Sequence, residues 1–276
     1  ALVFVGLSFK VAAFPFHQWA PDVYTGAPTT ISAFMSTAGK ASAILAMFLI
    51  AKNVLSQFSL FDSTKEFYKD TQLILALISA LTMLVGNFIA LVQRNVKRML
   101  AYSSVAHAGY LLMGIVANNP DGWNAIAYYS LAYLLMQSGA FIILSLSETI
   151  DNDFNSIDDF HGLSKKHPFL AGTMSVFMLS LAGIPPFAGF FGKYLLFVSI
   201  IKSGFLWLTI IAVISSIISM YYYIGLILAM YFKEFKEGIK PRFGLPFVAV
   251  VICLVLTVIF GIFPQYVIDF TTFLLG

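Results

Sequence analysis

The sequence has 276 residues, of which 59% are hydrophobic and only 11% are charged. Because an ordinary soluble domain has about 25% charged residues, a soluble enzyme is excluded and the chain is expected in a lipid bilayer. The single cysteine, Cys253, excludes an intrachain disulfide, a CxxC zinc site and an iron–sulfur cluster held by this chain alone. The net charge of +3 is small, and no nucleic-acid partner is expected.

The chain starts with an apolar stretch, Ala1 to Phe9, that has neither an initiator methionine nor a basic segment before it. A secretory signal peptide is therefore not expected. The sequence instead predicts a fragment that begins partway through a helix.

Eight apolar runs are predicted to cross the membrane. Runs of about 20 residues span a hydrocarbon layer of about 30 Å as helices, and lipid offers no partner to open backbone. The expected fold is therefore an all-α polytopic membrane protein of about eight transmembrane helices, without sheet. The predicted segments are Ala1 to Phe16, Ile31 to Ile50, Leu73 to Val92, Met99 to Ala117, Trp123 to Leu146, Phe169 to Ile200, Phe205 to Phe232, and Leu245 to Phe263 with an optional extension to Leu275.

The loops between these runs differ in basic charge from one side of the membrane to the other. One side has the more basic loops, and it is expected to be the cytoplasmic side or its organellar equivalent. Its basic residues are Arg94, Lys97, Arg98, Lys165, Lys166, Lys233, Lys236, Lys240 and Arg242, against Lys52, Lys65, Lys69 and Lys202 on the other side.

Three lysines, Lys10, Lys40 and Lys193, lie inside the apolar runs. A lone ammonium in hydrocarbon usually marks an ion path or a proton relay. Lys10 and Lys193 lie near enough to the ends of their runs to snorkel toward the headgroups. Lys40 lies roughly 18 Å into a helix that starts near Pro28, at a rise of about 1.5 Å per residue, so snorkelling does not explain it.

The embedded lysines have no carboxylate near them in the sequence. None of the thirteen acidic residues lies near the middle of a run. Either the partner lies outside this chain, or desolvation keeps the lysines uncharged for much of the time. Both alternatives favour proton transfer over a static ion pair.

Two of the runs are predicted to be broken helices. Proline removes a backbone donor and glycine loosens the chain, so a helix that contains them inside the membrane is interrupted. Interrupted helices near the midplane commonly hold the ion site of a transporter. The residues expected at the two breaks are Pro15, Gly183, Pro185 and Pro186.

The fourth run carries Ser103, His107 and Tyr110 at helical spacing, which predicts one polar stripe on a helix otherwise suited to lipid. An imidazole both accepts and donates protons, so His107 is a candidate relay between lysines, with a packing role as the alternative. A b-type haem is not expected because it needs a second buried histidine.

Two polar residues follow the first break. His17 is expected to cap the broken helix or to hold the loop by hydrogen bonds, and Asp22, beside Pro21, to be a turn or helix-cap residue.

No metal or cofactor site is predicted in this chain. Asp151, Asp153 and Asn155 resemble the start of an EF-hand, but Ser156 and Gly162 stand where that loop needs glycine and glutamate. The sequence also lacks the dinucleotide, phosphate-loop, metalloprotease and serine-nucleophile patterns. This chain is therefore not expected to transfer electrons itself.

Four stretches in the same order resemble the antiporter-like membrane subunits of respiratory complex I, the NADH-quinone oxidoreductase. The PDVYTGAP motif is most similar to subunit N, called subunit 2 in mitochondria. The stretches are FKVAAFPFHQWAPDVYTGAP (Phe9 to Pro28), STAGKA (Ser36 to Ala41), NVKRMLAYSSVAHAGY (Asn95 to Tyr110) and LSLAGIPPFAGFFGKY (Leu179 to Tyr194).

The resemblance implies a fold of fourteen helices with two inverted five-helix repeats, in which the seventh and twelfth helices are broken. This chain would supply helices seven to fourteen: residues 1–50 as the tail of the first repeat, 72–232 as the second, and 245–275 as a C-terminal helix. Lys10, Lys40, His107 and Lys193 match the lysines or histidine of helices seven, eight, ten and twelve. A fifth-helix glutamate would precede Ala1.

The function implied by the resemblance is proton translocation by a mid-membrane relay of lysines and histidine. NADH, FMN, iron–sulfur clusters and quinone would belong to other subunits, with neighbouring membrane subunits and lipid as partners. A bacterial inner membrane is the expected location, with organellar inner and thylakoid membranes as alternatives. A multisubunit cation/proton antiporter and a non-pumping structural subunit are alternative functions.

Overall fold

The computed structural model describes residues 2–55, 65–147, 155–234 and 244–275. The described residues are mainly helical, and the only β-structure among them is an isolated bridge between Asn95 and Ser156. The predicted all-α fold is confirmed.

The helices differ widely in length. A π-helical turn, Ala51–Leu55, follows α4, and a 3-10 helix, Ile157–Phe160, precedes α8. The α-helices are α1 (Leu2–Val11), α2 (Trp19–Gly26), α3 (Thr29–Ser36), α4 (Ala38–Ile50), α5 (Lys65–Leu91), α6 (Val96–Ala117), α7 (Pro120–Ser147), α8 (Leu163–Lys166), α9 (Pro168–Ala182), α10 (Ala188–Lys202), α11 (Leu206–Phe232), α12 (Leu245–Ile262) and α13 (Pro264–Leu275).

Among the described residues, 6 helical spans are long and apolar enough to cross a membrane. One of them, Thr29–Val54, includes α3, α4 and part of the π-helical turn, and the others lie in α5, α6, α7, α11 and α12. The two remaining predicted segments are interrupted: the first contains α1, and the sixth contains α9 and α10. Both breaks therefore occur in the segments where proline and glycine predict them.

The last predicted segment does not continue to Leu275 as one helix. The helix stops at Ile262, and Pro264 begins a separate helix, α13, of 12 residues. Val267 of α13 packs with Tyr128 of α7. A proline favours the first turn of a helix but cannot continue one, which explains why two helices replace one run.

The most enclosed helix is α6, whose side chains are nearly all buried. Neighbouring helices approach it closely: a Cβ on Gly109 would lie 2.8 Å from the Met83 backbone nitrogen, and one on Gly86 would lie 2.6 Å from the Ala106 nitrogen. Small residues allow such close helix contacts in membranes. The expectation that α6 is otherwise suited to lipid is therefore wrong, because α5, α7 and other helices surround it.

One end of the bundle gathers the loops that carry more basic residues. The Val96 N–H donates to the Asn155 carbonyl oxygen at 2.6 Å, and the Ile157 N–H donates to the Arg94 carbonyl oxygen at 2.9 Å. These bonds join the loop before α6 to the segment after α7.

The opposite end joins the less basic loops. Lys202 and Asp121 form an ion pair of 2.6 Å, and the Asn118 side chain donates to the Tyr68 hydroxyl at 3.2 Å. The contacts of the described loops agree with the predicted division. Lys236, Lys240 and Arg242 lie outside the described residues, and the assignment of the cytoplasmic side stays a prediction.

Candidate functional site

The second helix break begins with a glycine-terminated helix end. Gly183 has a φ of 84°, its N–H donates to the Ser180 carbonyl oxygen at 3.0 Å, and the Ile184 N–H donates to the Leu179 carbonyl oxygen at 3.0 Å. These two bonds form the Schellman motif, which closes a helix on a left-handed glycine. The prolines Pro185 and Pro186 then keep the chain from resuming a helix at once.

The carbonyl groups at this helix end bind the side chain of Lys193. Its Nζ donates to the carbonyl oxygens of Leu181 and Ala182, both at 3.0 Å, and to Ser216 Oγ at 2.9 Å. A helix C-terminus carries partial negative charge and stabilises a cation. The break therefore provides a cation site without a carboxylate.

Lys193 is 3% exposed and also lines a cleft of about 180 Å³. A water molecule occupies about 30 Å³ in the liquid, so the cleft has room for several. Tyr194 and Phe197 of α10 and Ser216 of α11 are among its other lining residues. Lys193 thus lies between the buried polar cluster and this cleft, whose lining also includes the apolar side chains of Val213, Ile217 and Met220.

Lys40 is 1% exposed and lies within the span that α3 and α4 form together. Its Nζ donates to the Ser104 carbonyl oxygen at 2.7 Å and to Ser104 Oγ at 2.8 Å. The span is irregular at Thr37, where φ is −112° and ψ is −81°. No snorkelling is possible for this side chain, because both of its acceptors are buried on α6.

His107 lies in a cluster of buried tyrosines. Its Nδ1 is 2.5 Å from the Tyr129 hydroxyl, and its Nε2 is 3.2 Å from the Tyr223 hydroxyl. The ring centroid of Tyr133 is 4.9 Å from that of the imidazole, and that of Tyr110 is 5.8 Å away. Both imidazole nitrogens therefore have a hydroxyl partner that can give or accept a proton.

One face of α6 connects the two buried lysines. Ser104 binds Lys40, His107 follows one turn later, and Tyr110 follows after another turn, with its ring centroid 4.9 Å from Lys193 Nζ. Residues three apart lie on the same face of a helix. The geometry therefore brings Lys40, His107 and Lys193 into one buried polar row, through which protons could move between hydroxyl, imidazole and amine groups.

Lys10 does not join this buried row. Its side chain is exposed at the end of α1, and its role stays a prediction. The break that follows begins at Ala12, where φ is 60°, and the Phe14 N–H donates to Thr82 Oγ1 of α5 at 3.0 Å. The first break therefore starts three residues before Pro15.

His17 and Asp22 lie after that break. His17 precedes the short helix α2, which was not predicted, and Asp22 lies on α2. The His17 carbonyl oxygen accepts from the Ala20 N–H at 3.1 Å, so its backbone helps to start α2, while its imidazole is buried. Asp22 lies within the first turn of α2, not in a loop, and pairs with Arg98 at 3.0 Å. Its side chain is 71% exposed, so Asp22 is not a buried proton donor.

The sequence singled out Ser103 of α6 as a supporting polar residue, which stays a prediction, and it did not single out the neighbouring Ser104. Ser103 Oγ donates to the Leu100 carbonyl oxygen of its own helix at 2.8 Å, whereas the neighbouring Ser104 binds Lys40. Because 3.6 residues make one turn, spacings of three and four are both compatible with a stripe through His107. The sequence alone could not decide between the two serines.

The buried tyrosines were also missed. Tyr129 and Tyr133 lie on α7, Tyr222 and Tyr223 on α11, and each is no more than 5% exposed. Tyrosine is common at membrane interfaces, which made these residues unremarkable in the sequence. Their position near the middle of apolar runs was the available signal.

No group of three or more His, Cys, Asp or Glu side chains with the geometry of a metal site occurs within residues 2–55, 65–147, 155–234 and 244–275. Asp151 and Asp153, the first two residues of the EF-hand-like stretch, lie outside these ranges.

The family model described as NADH:quinone oxidoreductase/Mrp antiporter, TM matches residues 1–219. NADH-quinone oxidoreductase subunit N 1 of Thermodesulfovibrio yellowstonii is 42% identical over 269 residues, which are 97% of this chain and 56% of the relative. The chain therefore spans a little over half the length of this relative.

Two solved structures have a similar fold. A chain of respiratory complex I from Thermus thermophilus with bound aureothin is 38% identical, with a TM-score of 0.83, and the match covers 97% of this chain and 57% of that one. A chain of the Mrp complex from Dietzia sp. is 21% identical, with a TM-score of 0.86 over 98% of this chain and 57% of that one, and supports the fold alone. Because the family model extends over most of the sequence and the helix breaks and buried lysines lie within it, this chain belongs to the transmembrane family of NADH:quinone oxidoreductase and Mrp antiporter proteins.

Proposed function

We propose that the protein containing this chain translocates protons across a membrane as a subunit of NADH-quinone oxidoreductase. The observation that carries the proposal is the buried row in which Ser104, His107 and Tyr110 of α6 lie between Lys40 and Lys193. Lys10 is included in the proposed relay only because of the resemblance. The resemblance also implies that the fifth-helix glutamate that pairs with it would precede Ala1.

The energetics of the buried lysines support proton exchange. A charged lysine at the centre of a membrane helix costs about 2.5–3.5 kcal/mol on insertion scales. A hydrogen bond to a charged group contributes about 1.5–3 kcal/mol, and Lys40 makes two such bonds. Because these opposing energies are similar in size, neither the charged nor the neutral amine is strongly favoured. A group that repeatedly takes up and releases a proton needs this balance.

The absence of a carboxylate partner also favours exchange. Among the described residues, the hydrogen bonds of Lys40 and Lys193 go to hydroxyl and carbonyl oxygens. A carboxylate would hold the ammonium as a fixed ion pair, whereas neutral acceptors allow it to lose its proton. Charge arriving at one lysine also repels charge at the next, which couples their protonation.

The chemistry that drives the relay would take place elsewhere in the complex. NADH, FMN, iron–sulfur clusters and quinone would be bound by other subunits, and neighbouring membrane subunits and lipid would cover the exposed apolar faces. Moving one charge against about 100 mV costs roughly 2.3 kcal/mol, so the redox subunits must supply that energy. The proposed location is the inner membrane of a bacterium, because the curated relatives that resemble the chain are bacterial subunits.

A direct test replaces Lys40 with alanine in the whole complex. The expected result is fewer protons moved per NADH oxidised in sealed vesicles, because the row loses a group that carries charge. Lys202→Ala is the matched control, since Lys202 is an exposed lysine at the bundle end, and it should leave the ratio unchanged. An unchanged ratio for Lys40→Ala in an assembled complex would reject the proposal.

Two alternatives give different results in the same vesicles. A cation/proton antiporter would exchange ions when a gradient is imposed without NADH or quinone. A purely structural subunit would support normal pumping after Lys10, Lys40 and Lys193 are all replaced. The buried position of Lys40 and Lys193 favours proton translocation over the structural role.

A further inference from the structure

The end of α12 lies against the backbone of the second helix break. Gly261 is buried in the last turn of α12. A Cβ added to it would overlap the Pro186 carbonyl oxygen and would lie 2.7 Å from both the Cα and the carbonyl carbon of Phe187. Carbon atoms in contact are about 3.5–4.0 Å apart, so α12 can take this position only with a glycine here.

A hydroxyl of α7 holds the same turn of α12. The Tyr128 hydroxyl donates to the Phe260 carbonyl oxygen at 2.7 Å. The residue four positions after Phe260 is Pro264, which has no N–H, so this carbonyl lacks the partner that a continued helix would give it. The bond from Tyr128 supplies the missing donor and thereby fixes the turn that carries Gly261.

The start of α10 is packed just as closely against α7. A Cβ on Gly192 of α10 would overlap the ring of Tyr129, which is a hydrogen-bond partner of His107. Ala188, the first residue of α10, packs with Tyr128. The break is therefore in contact with α7 on α10 and with α12 on the chain just before α10.

The hydrogen bonds of Lys193 depend on how the two halves of the broken helix are placed. Lys193 lies on α10, whereas two of its acceptors are the carbonyl oxygens at the end of α9. The chain between the two halves is residues 183–187, and Gly261 contacts the end of that segment. A shift of the segment therefore changes the distances from Lys193 Nζ to both carbonyl oxygens.

We propose that Gly261 is a positioning residue for Lys193. Through Pro186 and Phe187 it sets where α10 begins relative to the end of α9, and so keeps Lys193 Nζ on the α9 carbonyl oxygens. This inference rests on the proposed proton translocation. Because α12 has no charged side chain, its contribution to transfer is to hold Lys193 in the cation site.

The first test is a map of the assembled complex with Gly261→Ala. The added methyl group should displace the break and move Lys193 Nζ beyond hydrogen-bond distance of one or both α9 carbonyl oxygens. Gly225→Ala in α11 is the matched control, because a Cβ there has none of the described atoms within 4 Å, and Lys193 should keep its place. A Gly261→Ala map in which Lys193 keeps both bonds overturns the inference, whether or not the complex pumps.

The second test measures proton movement by the same variants in sealed vesicles. Gly261→Ala should lower the number of protons moved per NADH oxidised, with transfer about tenfold slower, as the loss of one hydrogen bond to a charged group implies. The solvent deuterium isotope effect on pumping should increase, because proton transfer at Lys193 becomes the slow step. Gly225→Ala should change neither readout. Less assembled complex with an unchanged ratio and isotope effect would mean that the contact only stabilises the fold, which overturns the positioning role.

A second variant serves if Gly261→Ala does not assemble. Tyr128→Phe keeps the ring and removes the donor to the Phe260 carbonyl oxygen, so the pumping ratio should fall and the isotope effect should rise, each by a smaller amount. Unchanged values with Tyr128→Phe would then overturn the inference.

The outcomes separate this inference from the proposed function. If Lys40→Ala lowers the pumping ratio while the Gly261→Ala complex pumps normally, the positioning role is wrong and the relay stands. If Lys40→Ala leaves the ratio unchanged, the proposed function fails, and the map alone decides whether Gly261 positions Lys193.

Discussion

Lys40 Nζ lies within hydrogen-bond distance of both oxygens of a single residue, at 2.7 Å from the Ser104 carbonyl oxygen and 2.8 Å from its Oγ. The Ser104 hydroxyl donates its own proton to the Ala101 carbonyl oxygen. The lone pairs of Ser104 Oγ therefore accept a hydrogen bond from the ammonium, as the Ser104 carbonyl oxygen also does. Among the described residues, Ser104 of α6 thus provides both hydrogen-bond acceptors of this amine, and the ring centroid of Tyr24 lies 6.0 Å from it.

Ser104→Ala should lower the number of protons moved per NADH oxidised without stopping it. The change removes one of the two acceptors, so the charged amine loses about 1.5–3 kcal/mol of stabilisation, while the carbonyl oxygen remains. The measurement is the pumping ratio of the assembled complex in vesicles.

Ser103→Ala is the control for that change. Its hydroxyl donates to the Leu100 carbonyl oxygen of its own helix, and the hydrogen bonds of Lys40 among the described residues go to Ser104 instead, so the pumping ratio should not change. Equal effects from the two serine variants would mean that the contact with Lys40 has no role in transfer.

Gly183→Ala should displace Lys193 and destabilise the second helix break. Gly183 has a φ of 84°, and an added Cβ would lie 2.9 Å from Lys193 Cδ and 3.3 Å from its Nζ. A non-glycine residue in this left-handed region costs about 1–2 kcal/mol before any clash. We expect a lower thermal midpoint of the complex together with reduced pumping.

The matched control is Gly172→Ala in α9, the helix that Gly183 ends. Its nearest neighbour for a Cβ is the Tyr231 hydroxyl at 3.8 Å, an ordinary contact, and alanine favours a helix interior by about 1 kcal/mol over glycine. It should leave pumping and stability intact. Normal pumping in the Gly183→Ala complex would show that the position of Lys193 at the break is unimportant.

The sequence predicts the features that depend on composition and on proline. Apolar run length located the spans, and prolines and glycines located both breaks. Charge inside a run identified Lys40 and Lys193, because burying an ammonium is costly wherever the helix faces. These inferences need no knowledge of neighbouring helices, so the structure agrees with them.

The features that depend on rotation and packing could not be predicted. Whether Ser103 or Ser104 faces Lys40 depends on how α6 is turned about its axis, and apolar helices with no polar side give no signal for that rotation. The exposure of Lys10 and the burial of Tyr133 likewise depend on which helices lie beside them. The helix α2 was missed because Asp22, beside Pro21, was interpreted as a turn or helix-cap residue, although proline is tolerated in a first helical turn.

Asp22→Asn should leave proton pumping unchanged. The ion pair of Asp22 with Arg98 spans 3.0 Å, but the two side chains are 71% and 37% exposed, and exposed pairs contribute only about 0–1 kcal/mol. The pair joins α2 to the first turn of α6. A loss of pumping comparable with that of Lys40→Ala would indicate that Asp22 takes part in proton transfer.

Two substitutions of His107 separate a relay role from a packing role. His107→Phe keeps an aromatic ring against Tyr133 but leaves the hydroxyls of Tyr129 and Tyr223 without their imidazole partner, and each unsatisfied buried group costs about 1–3 kcal/mol. His107→Gln retains a donor and an acceptor but cannot hold a proton as a cation. We expect the phenylalanine variant to lose both stability and pumping, and the glutamine variant to recover stability while pumping stays low. Full pumping with glutamine, measured as protons moved per NADH oxidised, would mean that the imidazole only orients the tyrosines and that the proton passes between Lys40 and Lys193 without residing on it.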